Sequence, residues 1–155
     1  SQAQIIENWS DTTLAKSIKM VFLEEIMKNP ALISSLLPNE ISDSIQKIFL
    51  KKPLKIGSQI SGLINHKEKE SLKLNLDCLT NLVEKENFLV GNELSIADIS
   101  VASQLSLLSF PNSSGEILKG KGCALYNNDP RLHNLFKWRD NLEDKLIATN
   151  HNDSY

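Results

Sequence analysis

The stretch Leu94-Ser95-Ile96-Ala97-Asp98-Ile99 opens a run to Ser109 whose one charge, Asp98, lies in its first turn. Ser95 takes the N-cap position and Asp98 the third helical position. A hydroxyl and a carboxylate at this spacing can satisfy each other's backbone amides, here with Asp in place of the usual Glu. Leu94 and Ile99 stand where a hydrophobic staple forms. After Asp98 come apolar residues (Ile99, Val101, Ala102, Leu105, Leu107, Leu108) separated only by small or uncharged ones. A helix with no charged face belongs in an interior. A buried helix start must satisfy its free amides from the protein, because water is excluded. The sequence therefore predicts a central buried helix over 95–109, tied off by a Ser95–Asp98 capping box. Losing an ordinary N-cap costs about 1 kcal/mol. A box shielded from water costs more to lose, because orphaned donors keep their desolvation penalty.

The rest of the chain reads as helix around that rod. Residues 4–28 place Leu14, Ile18, Val21 or Phe22, and Ile26 at three- and four-residue steps. Asn29-Pro30 stops this segment, since the residue before proline avoids helical geometry. Ala31 to Leu37 reads as a short apolar turn, residues 42–50 as a short helix, and 55–64 as ambiguous because of Gly57 and Gly62. Residues 67–86 form the clearest amphipathic pattern, with Leu72, Leu76, Leu79 and Val83 on one face and Leu82 widening it. Phe110-Pro111 ends the central helix, and 112–128 is a polar excursion containing glycine. Asp129-Pro130 opens a last helix, Asp at the N-cap and Pro just inside, followed by Leu132, Leu135, Phe136, Arg139, Leu142 and Leu146. Residues 148–155 read as a frayed tail.

Composition agrees with an all-α single domain spanning 1–155. Leucine (24) and isoleucine (15) far outnumber valine (4), and aromatics are 6%, which leans away from strands. At 155 residues the chain can bury roughly 68–70% of its unfolded surface, so a core needs no disulfide framework. A net charge of −2 argues against a nucleic-acid footprint. No apolar run is long enough for a membrane helix. Cys78 and Cys123 are too few for a secreted disulfide scaffold, so a reduced, cytoplasmic setting is expected. The chain begins at Ser1 without methionine, and we expect a piece of a longer polypeptide.

The segment Phe88-Leu89-Val90-Gly91-Asn92-Glu93-Leu94-Ser95-Ile96-Ala97-Asp98-Ile99 resembles the signature Leu-x-Gly-x-x-(Leu or Phe)-(Ser or Thr)-x-Ala-Asp of the glutathione S-transferase C-terminal domain. Asp129-Pro130-Arg131-Leu132 through Trp138-Arg139-Asp140 is similar to the closing helix of that domain. Glu7-Asn8-Trp9-Ser10-Asp11-Thr12-Thr13-Leu14 is similar to its first long helix. The resemblance covers residues 5–147 and is strongest to bacterial, cyanobacterial-type members; residues 38–66 depart from the usual layout and look like an insertion.

The resemblance implies an all-helical bundle forming half of a two-domain protein. The thioredoxin-like half, which binds glutathione and supplies the activating group, does not occur in this sequence. By the resemblance, this half lines the pocket for a small electrophilic substrate, which Trp9, Thr12, Thr13, Lys16 and Met20 would face, and contributes contacts to a possible homodimer. Glutathione would be the cofactor of the full-length parent and would not bind this chain alone. No residue here is identified as catalytic. The alternative is a non-catalytic interaction module of the same fold, pairing through exposed apolar helix faces; a third option is a stand-alone helical ligand binder.

Other signals are weaker. Gly115 to Lys121 matches seven positions of a phosphate loop, but Gly122 stands where Ser or Thr would hold magnesium, so it reads as a loop using positive φ at its glycines. Cys123 follows Lys119 and Lys121, and nearby positive charge can lower a thiol pKa; a covered structural cysteine is the plainer reading. Cys78 reads as packing. His66, His133 and His151 lack the spacing of a metal site. Glu24, Glu25, Glu68 and Glu70 read as solvated charges.

Overall fold

Leu14, Ile18, Leu72, Leu76, Val101, Leu105, Leu108 and Leu135 are at most 1% exposed and belong to one hydrophobic cluster. These residues come from every long helix among the described residues, and the architecture is an all-α bundle. The computed structural model describes residues 1–36 and 66–152. In chain order the helices are α1 (Gln2–Trp9), α2 (Ala15–Lys28), α3 (Pro30–Leu36), α4 (His66–Val83), α5 (Ile96–Leu105), α6 (Ala124–Asn127) and α7 (His133–Asn152). No strand occurs among the described residues, only an isolated bridge between Ser109 and Gly122. The readings for residues 38–64 lie outside the described residues.

The first helical segment is one continuous rod. Ser1 caps it in a box with Gln4: the Ser1 amine donates to Gln4 Oε1 (2.8 Å), and the Gln4 amide to Ser1 Oγ (3.4 Å). Between α1 and α2, Ser10–Leu14 form a wider π turn, with helical dihedrals maintained on both sides. The π turn packs on α5 and buries Ser10 and Leu14; the Ser10 hydroxyl has no hydrogen-bond partner among the described residues. From Leu14 onward the stripe predicted from sequence faces inward, with Ala15, Ile18 and Val21 buried. Asn29 ends α2 in an extended conformation, as its following proline requires, and its side chain then accepts from the Leu32 amide (3.3 Å). The segment after Asn29 is therefore a helix rather than an apolar turn.

Helix α4 carries the expected stripe: Leu72, Leu76 and Leu79 are buried against α2 and α7. Leu82 is 36% exposed and does not extend the stripe, and Cys78 is exposed, not packed. After α4, the loop 84–95 is held to α7 by Trp138 Nε1, which donates to the Asn87 carbonyl (2.9 Å).

Helix α5 is tied at both ends. At its start Asp98, fully buried, accepts three hydrogen bonds. Oδ1 takes the Leu89 amide (2.7 Å) from across the loop. Oδ2 takes the Ser95 amide (2.8 Å) and the Ser95 hydroxyl (2.7 Å). The hydroxyl sits in the box arrangement with the Asp98 amide but directs its proton to the carboxylate, while the Asp98 amide donates to the Ser95 carbonyl (3.1 Å). At the other end Arg139 of α7, 1% exposed, donates through Nη1 to the carbonyls of Leu105 (3.3 Å) and Ser109. Its remaining donors reach Asp140 Oδ1, from Nε at 2.9 Å and Nη2 at 2.7 Å.

Two expectations for this helix are corrected. It ends at Leu105 rather than at 109, because the amides of Ser106, Leu107 and Leu108 bond three residues back and tighten the last turn. It is also buried on one side only. Ala97, Asp98, Val101, Ala102 and Leu105 face the core, whereas Ile96 and Ile99 are both 45% exposed. Leu94, the other half of the staple, is 39% exposed, so the staple pair sits at the surface.

Residues 108–110 then run beside 120–123: Cys123 N donates to the Leu108 carbonyl (3.0 Å) and Phe110 N to the Lys121 carbonyl (2.7 Å). Gly122 makes this approach possible. A Cβ there would lie 2.3 Å from the Leu108 carbonyl oxygen, and its φ is +152°. Asp129 caps as expected, accepting the Arg131 amide (3.0 Å), but what it opens is a single 3-10 turn, Pro130–Leu132, before α7. Helix α7 continues to Asn152, so 148–152 are helical rather than frayed.

Two stability changes follow. Asp98→Ala orphans the amides of Leu89 and Ser95 in a buried place and should cost about 2–4 kcal/mol, a fall in thermal midpoint of roughly 5–15 °C; a shift of only a degree or two contradicts the tie. Gly122→Ala should cost about 2–3 kcal/mol in denaturant unfolding. Gly120→Ala, where φ is +70° but nothing lies within 4 Å of the added carbon, should cost only about 1 kcal/mol.

Candidate functional site

The solvent side of α2 carries an open groove of about 380 Å³ lined by Asp11, Thr12, Lys16, Lys19, Met20 and Leu23. Steps of three and four residues from Thr12 to Leu23 stack these side chains along one helix face. The floor is apolar: Met20 is half-buried and Leu23 is 48% exposed. The rim is mostly cationic. Lys16 lies 3.9 Å from Glu68 of α4, with 70% of its side chain exposed, and Lys19 makes no ion pair among the described residues. The Asp11 carboxylate is engaged on α5, accepting from Ser100 Oγ (2.7 Å) and Gln104 Nε2 (3.5 Å) through Oδ1. The Thr12 hydroxyl donates to the Asn8 carbonyl (2.6 Å) and keeps its lone pairs as acceptors.

Of the five residues read from sequence as pocket-facing, the structure brings Thr12, Lys16 and Met20 together here. Trp9 is half-buried against the core, and Thr13 is exposed outside the groove. The cause is the π turn, which breaks the uniform helical register that would put Trp9 and Thr13 on the face of Lys16 and Met20. Lys19 and Leu23 were missed, although each lies three residues beyond a residue that was named.

A second cluster sits on the opposite flank of α2. Glu24 is 7% exposed, not a solvated charge, and accepts from Lys28 and from Lys69 of α4 (2.7 Å). Burial alone would push its carboxyl up; the hydrogen bonds and charges of Lys28 and Lys69 outweigh burial and hold it below the usual carboxylate value. Beside it, Val21, Glu25, Cys123 and Tyr126 help to line a cavity of about 100 Å³.

Cys123 is 2% exposed, and burial together with the negative charges of Glu25 and Glu24 pushes its thiol up to about 12. Of the two lysines that precede it, Lys121 donates to Ser35 Oγ (2.7 Å), and Lys119 pairs with Glu116 (2.6 Å). The thiol is thus protonated, and it donates to the Leu107 carbonyl (3.7 Å). Tyr126 is likewise pushed to about 12, first by burial. Neither group is poised as a nucleophile or base near neutral pH.

The glycines of the 115–122 loop have positive φ, and the loop follows an isolated bridge and a 3-10 turn rather than a strand. No group of three or more His, Cys, Asp and Glu with metal-holding geometry occurs among the described residues. Nor, among them, is any helix long and apolar enough to cross a membrane. Comparison of the chain with protein-family models, curated proteins and solved structures finds no match in any of the three.

The Glu24 cluster has a pH signature. A carboxyl whose folded pKa is depressed adds stability that is full above its unfolded value, about 4.5, and is lost as pH falls through the folded value. Glu24→Gln should therefore lower the urea midpoint at neutral pH, by roughly 1–3 kcal/mol in unfolding free energy. The gap to the wild type should close as the pH is brought below about 4. A gap that stays constant with pH contradicts the ion-pair account.

Proposed function

We propose that this chain is the helical domain of a glutathione transferase-like protein, with the α2 groove forming part of the wall that receives an apolar electrophile. The observation that carries the reading is Asp98, fully buried and binding Ser95 and Leu89. These are residues of the segment that resembles the transferase helical domain, and they do there the interior tying that the resemblance implies. The groove supports it: an apolar floor with two lysines at the rim suits an apolar body bearing electron-rich or anionic groups.

Catalysis belongs elsewhere in such a protein. In this reading the cofactor and its activation are assigned, on the resemblance, to a thioredoxin-like domain of the parent, and the cytoplasm is the compartment in which both free cysteines stay reduced. Homodimer contacts through the first two long helices belong to the same proposal. A second reading, a non-catalytic interaction module, is favoured by the uncharged outer face of α5, where Leu94, Ile96 and Ile99 are exposed.

Titration with anilinonaphthalene sulfonate, an apolar anion whose fluorescence rises on binding, tests the groove. Saturable binding should weaken about tenfold or more, a loss of roughly 1.4 kcal/mol, in the Lys16→Ala/Lys19→Ala double variant and in Leu23→Ser. Dye bound equally by all three proteins contradicts the groove and points to the α5 face and the second reading. The chain should also pass unretained through a glutathione matrix; retention would overturn the assignment of glutathione to another domain.

A further inference from the structure

A cavity lined by both charged and apolar side chains lies between α4 and residues 125–132, away from the α2 groove. Its volume is about 370 Å³, within the range of roughly 300–1,000 Å³ typical of small-molecule sites. Leu76, Leu125, Tyr126 and Leu132 give it apolar walls. Leu125 is 73% exposed, a large apolar side chain left uncovered at the mouth.

The charges around this cavity are mostly paired. Lys69 is drawn to Glu24, Arg131 holds Asp129 through Nε (3.0 Å) and Nη2, and His66 lies 3.5 Å from Glu70. Two lining charges make no side-chain hydrogen bond or ion pair among the described residues: Lys73 and Asp77. They stand four residues apart on α4, a spacing at which opposite charges commonly pair, yet each acts at longer range on the far wall. The Asp129 carboxyl is lowered first by its hydrogen bonds from Arg131, with Lys73 adding a smaller pull, and the Arg131 guanidinium is raised first by Asp129, with Asp77 adding a smaller one. The lining thus carries charge of both signs, with one unpaired group of each sign among the described residues beside apolar walls. A purely anionic ligand would meet Asp77, and a purely cationic one Lys73.

We propose that this cleft is a binding site for a small zwitterion with an apolar body, chemically a free amino acid with a large hydrophobic side chain. The ligand carboxylate faces Lys73, its ammonium faces Asp77, and its side chain lies against Leu76, Leu125, Tyr126 and Leu132. Tyr126, protonated at neutral pH, adds a hydroxyl without adding charge.

Calorimetric titration with L-phenylalanine tests the site. The wild-type chain should bind it saturably in the millimolar range or tighter. N-acetyl-L-phenylalanine, which lacks the ammonium, and L-phenylalanine amide, which lacks the carboxylate, should each bind at least tenfold more weakly. Lys73→Gln and Asp77→Asn should weaken L-phenylalanine binding similarly, and Asp77→Asn should leave the N-acetyl compound's residual binding unchanged. No saturable binding of L-phenylalanine, L-leucine or L-tryptophan would overturn the proposal. So would blocked analogues that bind as well as the free amino acid, or folded variants that bind like the wild type. Should a variant fail to fold by circular dichroism, the blocked analogues on the wild-type chain decide alone.

Discussion

A carboxylate at one end and a guanidinium at the other hold α5 in place, and the rest of the bundle is arranged around that constraint. A helix end leaves amides at its start and carbonyls at its finish without internal partners. Both ends of α5 meet protein rather than water. Asp98 supplies acceptors to the loop and the N-cap; Arg139 supplies donors to the last carbonyls. The signs match the helix dipole, negative charge at the positive end and positive charge at the negative end. Removing a carboxylate from water costs several kcal/mol, and three hydrogen bonds to the ionised group are what offset that here. The desolvation of Arg139 is eased differently, by a partner, Asp140, whose side chain is 35% exposed.

Because these two residues belong to different elements, they also join distant parts of the chain. Asp98 fixes the loop at Leu89, and Trp138 fixes the same loop at Asn87, so the passage from α4 to α5 is anchored from both helices it lies against. Arg139 reaches Ser109, the residue bridged to Gly122, and thereby sets the loop that carries Cys123 and Tyr126. Tyr126 and Leu125 wall both cavities beside α4, and Cys123 lines the smaller one. The geometry of the candidate sites thus depends on the tie at α5 although no ligand would touch it.

Much of this was legible in the sequence, for identifiable reasons. The Leu72–Leu76–Leu79 stripe and the Leu14–Ile18–Val21 stripe obey one helical period against a charged background, and both face the core. Asp98 was legible because it is the one charge in its run. Arg139 stood in the apolar stripe of the last helix, but its role depends on carbonyls 30 and 34 residues away, which no local pattern contains. The burial of Glu24 was hidden for the same reason: one of its lysines comes from α4. The π turn has no sequence mark of its own, and it separated Trp9 and Thr13 from the groove. The uncharged run after Asp98 overstated burial, since absence of charge permits an interior face without requiring one on every side.

The amide hydrogen exchange of Leu89 and Ser95 tests the central tie most directly, because both amides lie outside regular helix and owe their protection to Asp98 alone. The account predicts that both exchange slowly, with protection approaching that of Val101 and Leu105 in the core. Exchange of either amide at the rate of an unstructured peptide, while the core of α5 stays protected, would contradict it.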